Sequence, residues 1–369
     1  MKKKVLHVVG ARPNFVKAAP VIKSISSDIE QLLIHTGQHY DKKMSDVFFD
    51  NLNIPKPTEF LSIGSGTHGE QTAKVIVEME KHLLKYNPDL LLVYGDVNST
   101  LGSAIAASKL NIEIAHVESG LRSFDNNMPE EVNRLIVDGI ADYHFVTEKS
   151  GVDNLLSEGR CGDNIFLVGN TMIDSLYKIL ATVGLNRKEE YALLTLHRPS
   201  NVDTKEGLEK IIRICENIEM KILFPMHPRT KKSLKKLNLY DRLSENVNLE
   251  ILEPVGYFEF VSLLSNSSVV ITDSGGIQEE TTALRVPCLT LRKNTERPIT
   301  VECGTNILVD TTEEVLYNIS QIRSGNYKKG TVPYLWDGSA GKRIAKIIEK
   351  EILYRKGGII EFVHERRGA

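Results

Sequence analysis

Short apolar runs rich in β-branched residues alternate with helical segments along the whole chain of 369 residues. Candidate strands fall at 4–9, 32–36, 90–94, 113–117, 144–146 and 165–168 in the first half. A second set falls at 193–196, 222–226, 249–252, 269–272, 288–291 and 307–309. Near-continuous apolar strands separated by helices call for parallel sheets buried on both faces. The fold class expected is therefore α/β, with two doubly wound, Rossmann-like domains facing across a cleft. The length agrees, since one core seldom grows this large. The change of domain is placed at Gly169-Asn170-Thr171. This gives residues 1–169 and 170–353, with a tail at 354–369 expected to pack back on the first domain. The clearest helix, 70–86, carries Val75, Ile76, Met79, Leu83 and Leu84 on one stripe, and Thr67 with Glu70 predicts a capping box at its start. A long basic helix is expected at 340–354.

Composition narrows the function classes. Net charge is −2, so neither nucleic acid nor an anionic membrane is favoured as a partner. No apolar run has the length of a membrane-spanning helix. Cys161, Cys215, Cys288 and Cys303 are widely spaced and form no C-x-x-C pair. Reduced thiols in a cytoplasmic protein are expected, with no structural zinc.

The most informative stretch chemically is Val269-Val-Ile-Thr-Asp-Ser-Gly-Gly-Ile-Gln-Glu-Glu280. A buried strand runs into Ser274-Gly275-Gly276 and then a helix. Free N–H groups and the helix dipole suit an anion there, and the glycines allow close approach. Glu279 and Glu280 would repel a phosphate unless one turns aside to a sugar diol. The stretch therefore predicts a nucleoside diphosphate, held by its phosphates and its ribose. In doubly wound sheets ligands sit beyond the strand carboxyl ends. The polar residues gather there. Arg12 and Lys17 follow the first strand, Asp96 the third and Glu118 the fourth, with Glu130, Glu131 and Arg134 soon after. In the second half His197, His227, the Ser274 turn and Arg297 follow strands. Acids lie on the first domain, and histidines, arginines and the phosphate turn on the second. Each has a plainer reading. Asp96 could cap the next helix, and Glu130 and Glu131 could be first-turn residues. Glu118 could pair with Arg122 or Arg134, and the two histidines could be buried and satisfied.

In order and spacing, these segments resemble the non-hydrolysing UDP-N-acetylglucosamine 2-epimerases. The likeness runs from Gly10-Ala-Arg-Pro through His116-Val-Glu-Ser-Gly-Leu-Arg122, Pro129-Glu-Glu-Val-Asn-Arg134 and His197-Arg198 to Thr295-Glu-Arg-Pro298. The resemblance implies a glycosyltransferase-B architecture and a homodimer. It implies interconversion of UDP-GlcNAc and UDP-ManNAc without NAD or a required metal. It places catalytic acids at Asp96, Glu118 and Glu130, and a catalytic histidine at His197. Nucleotide contacts fall on Arg12, Ser274, Gly275, Gly276 and Glu280, the last at the ribose, and His227 and Arg297 fall near the diphosphate. Pro13-Asn14-Phe15 departs from the more usual Pro-Glu-Ala. Bacterial relatives hold a second, activating substrate molecule near 36–39; Gln38 and His39 are kept, but Tyr40-Asp-Lys-Lys departs.

The chemistry needs such residues. No carbonyl acidifies the C2 proton of the sugar, so the expected route is elimination of UDP to a 2-acetamidoglucal, then re-addition. The leaving diphosphate needs preset donors, and carboxylates must take and return the proton. A glycosyltransferase on the same fold would need an acceptor pocket and one base. A hydrolysing epimerase would release UDP and free ManNAc.

Overall fold

Each strand in the computed structural model runs parallel to its neighbours, as the unbroken apolar runs require. The structure describes residues 2–37, 54–184 and 190–354, and for Arg12 the backbone alone. The first sheet contains β1 (Lys4–Val9), β2 (Glu30–His35), β3 (Glu59–Phe60), β4 (Leu90–Tyr94), β5 (Glu113–Ser119), β6 (Tyr143–Val146) and β7 (Ile165–Leu167). The second contains β8 (Tyr191–Thr195), β9 (Lys221–Pro225), β10 (Leu249–Leu252), β11 (Val269–Thr272), β12 (Cys288–Leu291) and β13 (Asn306–Val309). The orders are β3-β2-β1-β4-β5-β6-β7 and β10-β9-β8-β11-β12-β13. In each sheet the winding reverses once, between β1 and β4 and between β8 and β11. Loops leaving those four strands diverge and leave a crevice at each switch point. They carry Asp96, His197 and the Ser274 turn, and Lys17 follows in the helix after β1.

Alternation along each strand supplies both helical layers. Val5, Val9, Leu90 and Leu92 pack into one apolar cluster, and Leu6, Val8, Leu91 and Val93 into another on the opposite face. Helix His68–Tyr86 begins with the expected capping box: Glu70 N donates to Thr67 Oγ1 at 3.3 Å, and Thr67 N donates to Glu70 Oε2 at 2.9 Å. Its buried stripe is narrower than expected. Val75, Met79 and Leu83 are inside, while Leu84 is exposed. The cause is close packing on helix Asn98–Lys109, where Gly102 lets Val75 approach within 2.7 Å of its missing Cβ. β3 is an addition, two residues long and with no apolar pattern to announce it.

The final helix, Ala340–Ile347, continues as a π-turn over Ile348–Leu353. Ile344, Ile348 and Ile352 join the cluster of Phe15, Val16 and Ile22 from helix Arg12–Ser24. The end of the described chain thus lies on the first sheet's helices, and residues 355–369 are outside the described part. Near it, Trp336 is buried and donates its indole N–H to Thr147 O at 3.0 Å. Gly169, beside the expected change of domain, has φ of +84°, and a Cβ there would lie 2.1 Å from the Leu335 carbonyl oxygen. Both the left-handed backbone and the clash oppose a side chain. Gly169→Ala is expected to lower stability by roughly 2–4 kcal/mol. A urea titration showing a loss under about 0.5 kcal/mol would contradict this packing.

Candidate active site

The first domain's part begins at the turn after β1. Asn14, at the departure noted above, ties that turn to β4. Its Oδ1 accepts from Gly10 N at 3.2 Å and Ala11 N at 3.0 Å, and its Nδ2 donates to Tyr94 O at 2.7 Å. Lys17, one helical turn further on, is buried and forms an ion pair with Glu118. Glu118 sits at a register shift in β5 with φ of +73°, unusual for a residue with a side chain. The shift turns its carboxylate toward Lys17. Beneath it, His116 bridges Asp138 (2.6 Å) and Gly95 O (2.8 Å), fixing the ends of β4 and β5 together.

Arg134 reaches Asp96 through Nε (3.0 Å) and Nη2 (2.7 Å) and pairs with Glu131 through Nη1. Burial alone would raise the Asp96 pKa, but Arg134, Lys17 and Arg297 together hold it below the usual value, so it is a carboxylate at neutral pH. Glu131 is buried, accepting from Ser123 N, Ser123 Oγ and Phe124 N. It anchors Arg134, whereas its neighbour Glu130 is exposed. Arg122 turns away to Asp138 and Glu158, so neither Arg122 nor Arg134 partners Glu118.

The second domain supplies the partner. Arg297 Nη2 donates to Glu118 Oε1 at 2.8 Å, joining residues 179 positions apart. The same guanidinium meets Glu296 (2.6 Å) and Glu279 (2.9 Å). The Glu279 contact is ionic without hydrogen-bond alignment, because neither of its buried oxygens has a hydrogen-bond donor. Burial raises the Glu279 pKa to about 7 against the pull of Arg297. Glu280 is also raised to about 7 by burial, and its Oε1 accepts from Tyr257 Oη at 2.6 Å.

Ser274 precedes helix Gly275–Leu284, and Gly275 and Gly276 form its first turn. A Cβ on Gly275 would come within 2.6 Å of Arg297 Nη1 and of Glu296 Oε1, and one on Gly276 within 3.0 Å of Met172 Cε. The glycines thus make room for protein as well as for a ligand. Asp273, just before the turn, is fully buried and receives His197 N (3.1 Å), Arg198 N (2.9 Å) and Asn201 Nδ2 (3.0 Å). It clamps the loop after β8 to the Ser274-Gly275-Gly276 turn. The His197 and His227 rings lie against each other at a tilt of 37°, centroids 5.5 Å apart, and His227 Nδ1 accepts from Arg229 N at the start of helix Pro228–Lys236. Burial lowers the His197 pKa despite Asp273, so its ring is neutral near pH 7.

The structure therefore brings Lys17, Asp96, Glu118, Arg134 and Arg297 into one network spanning both domains, beside Ser274–Gly276. His197 and His227 stand together on the second domain. Glu130 is reached electrostatically by Arg198, which also lies 4.0 Å from Met128 Sδ of the first domain. Arg12's side chain, Gln38 and His39 lie outside the described residues. Three positions of consequence escaped the sequence reading: Asn14, Asp273 as a clamp, and Glu131 as the support of Arg134. The Asp273 role had a signal, since it follows a buried strand and immediately precedes the Ser274-Gly275-Gly276 turn.

Two parallel-sheet domains, with acids on one and the Ser274-Gly275-Gly276 turn at a helix start on the other, have the glycosyltransferase-B architecture. The sequence profile of UDP-N-acetylglucosamine 2-epimerases matches residues 23–349, and the chain belongs to that family. It is 46% identical over 357 residues to the UDP-N-acetylglucosamine 2-epimerase of Methanocaldococcus jannaschii, covering 92% of this chain and 97% of that one. It is 38% identical over 358 residues to the UDP-2,3-diacetamido-2,3-dideoxy-D-glucuronate 2-epimerase of Pseudomonas aeruginosa, covering 94% and 99%. The crystal structure of the Methanocaldococcus jannaschii enzyme in complex with UDP-GlcNAc and UDP matches with a TM-score of 0.86, covering 94% of this chain and 99% of that chain. No described helix is long and apolar enough to cross a membrane.

Proposed function

We propose that the protein interconverts UDP-GlcNAc and UDP-ManNAc by non-hydrolysing epimerisation at C2. The carrying observation is the Glu118–Arg297 pair, which sets first-domain carboxylates against the second domain's phosphate turn. In the proposed reaction the electron pair of the C1–O bond leaves with UDP, and a carboxylate takes the C2 proton. The products are a 2-acetamidoglucal and UDP, held in the closed cleft. Return of a proton to the other face of C2, with re-addition of UDP at C1, gives the epimer. No water, hydride or metal enters the balance.

Asp96, Glu118 and Glu130 are the candidate acids and bases. Asp96 and Glu118 share a network of cations, so a proton gained by one changes the field at the other. Arg297, Lys17 and Arg12 provide positive charge for the leaving diphosphate, and the N–H groups of Ser274–Gly276 provide donors. The neutral His197 ring donates a hydrogen bond to the departing oxygen, with His227 beside it. Glu280 takes the ribose. Support comes from the placement of Lys17, Asp96, His197 and the Ser274 turn beside the two switch points and from the family to which the chain belongs.

The working form proposed is a cytoplasmic homodimer. Val132, Leu135 and Ile136 form an exposed apolar face on helix Pro129–Ile140, suited to a second copy, and the four cysteines are unpaired thiols. A second substrate is favoured by one specific finding, the 38% likeness to an enzyme named for a diacetamido-glucuronate sugar.

Proton NMR in D₂O tests the reading, with UDP-GlcNAc and enzyme alone. UDP-ManNAc with deuterium at C2 in both sugars is the expected outcome. Free ManNAc and UDP would instead indicate hydrolysis. An unchanged spectrum, followed by turnover of UDP-2,3-diacetamido-2,3-dideoxy-D-glucuronate, would transfer the activity to that sugar.

A further inference from the structure

Glu118 is a candidate acid whose backbone departs from an ordinary strand. Its φ of +73° falls where the register of β5 shifts, between Val117 and Ser119. A residue with a side chain keeps such a conformation only where its surroundings over-determine it. Lys17 and Arg297 contact its carboxylate, at the far end of the side chain. The backbone that aims the carboxylate is held by other groups.

The neighbours of Glu118 in the chain converge on Asp138, in the last turn of helix Pro129–Ile140. Asp138 is fully buried. Its Oδ1 accepts from Ser119 Oγ at 2.5 Å and lies 2.6 Å from His116 Nδ1. Its Oδ2 accepts from Gly120 N at 3.0 Å and pairs with Arg122 Nη1 at 2.7 Å. Burial would raise its pKa, but His116 and Arg122 hold it well below the usual carboxylate range, so it is ionised and only accepts. One carboxylate thus grips the chain before the shift, at His116, and after it, at Ser119, Gly120 and Arg122. The grip extends to β4. His116 Nε2 is 2.8 Å from Gly95 O, and Gly95 N donates to Val117 O at 3.0 Å. Gly95 directly precedes Asp96. Arg122 is braced in turn by Glu158, through Nε at 2.8 Å and Nη2 at 2.7 Å.

We propose that Asp138 is a positioning residue for the reaction: it locks the shift in β5 and so fixes where the carboxylates of Glu118 and, through His116 and Gly95, Asp96 stand in the cleft. Its chemical consequence rests on the epimerase reading; the positioning itself does not. Asp138 acts only through the ends of these strands.

Asp138→Asn tests this. Asparagine keeps the shape but sets an NH₂ donor against groups that already donate. The kcat for epimerisation is expected to fall by roughly 100-fold, the effect of a catalytic group displaced by about an ångström, with deuterium exchange at C2 falling in step. UDP affinity and stoichiometry are expected to stay at their native values, since the Ser274 turn and Glu280 lie on the other domain. A merely structural role would remove UDP sites in proportion to kcat. Crystal structures of the two proteins are expected to show Glu118 at a negative φ in the variant, its carboxylate gone from Lys17 and Arg297. Native kcat in the variant, UDP sites lost in step with kcat, or an unmoved Glu118 overturns the proposal. Ser119→Ala removes one donor and leaves every charge paired. Its kcat is expected to fall by about ten-fold, as for loss of one hydrogen bond to a charged group, and it decides by the same measurements if Asp138→Asn does not fold. Were the native chain to turn over neither UDP-sugar, the epimerase reading would fall, and the crystal structures would still decide the positioning.

Discussion

Asp96→Asn is expected to lower kcat for C2 epimerisation by about three powers of ten, within the range of a proton-transfer residue, while UDP binds as before. The substitution removes the charge and keeps the shape. Arg134 retains Glu131, so no buried guanidinium is left without a counter-charge. Glu131 also keeps its three donors from Ser123 and Phe124, so the start of helix Pro129–Ile140 stays anchored. The Ser274-Gly275-Gly276 turn belongs to the other domain, where Asp273 clamps it, and has no hydrogen bond to Asp96. A structural role would reduce UDP affinity and turnover together. A catalytic role separates them, with deuterium exchange at C2 falling in step with kcat. Near-normal turnover would remove Asp96 from the mechanism and leave Glu118 and Glu130 as the acids.

The distinction matters because the partners of the acids were not legible in the sequence. Glu118 had two plausible partners nearby, Arg122 and Arg134. The structure gives it Lys17 and Arg297 instead, one brought in by the helix after β1 and the other by the opposite domain. Local spacing carries no information about a contact between domains. The strands, by contrast, were legible almost to the residue, because a strand buried on both faces must be apolar throughout. Their ends moved by one or two positions, as at β2 and β8, where hydrogen bonding rather than hydropathy sets the limit. Leu84 was misplaced because an apolar residue at helical spacing faces inward only if a neighbour lies opposite. Asn14 looked like a departure from the family's pattern. Its three hydrogen bonds to the β1 turn and β4 give the substitution a structural purpose.

Glu280→Gln carries the other large effect, and its sign follows from the buried carboxyl. In the folded chain the Glu280 pKa is raised from 4.5 to about 7, chiefly by burial, against a hydrogen bond from Tyr257. The folded state therefore keeps a proton that the unfolded chain releases near pH 4.5. The stability this contributes is fully present below pH 4.5 and is lost as pH rises through 7. A carboxyl moved that far corresponds to about 3 kcal/mol. Glutamine has no such proton to lose. Relative to the native chain, Glu280→Gln should gain about 3 kcal/mol between pH 4.5 and pH 8, measured by urea unfolding of both proteins across that window. Two curves that stay parallel would mean that Glu280 is ionised throughout. The same result bears on the puzzle of two glutamates beside a turn proposed to hold a diphosphate. Glu279 faces Arg297, and Glu280 is protonated below about pH 7, so neither presents a full bare charge to a diphosphate. A neutral carboxyl can donate to a ribose oxygen as well as accept from a hydroxyl. UDP affinity of the native chain should accordingly weaken above pH 7, and that of Glu280→Gln should weaken less over the same range, since only Glu279 still gains charge there.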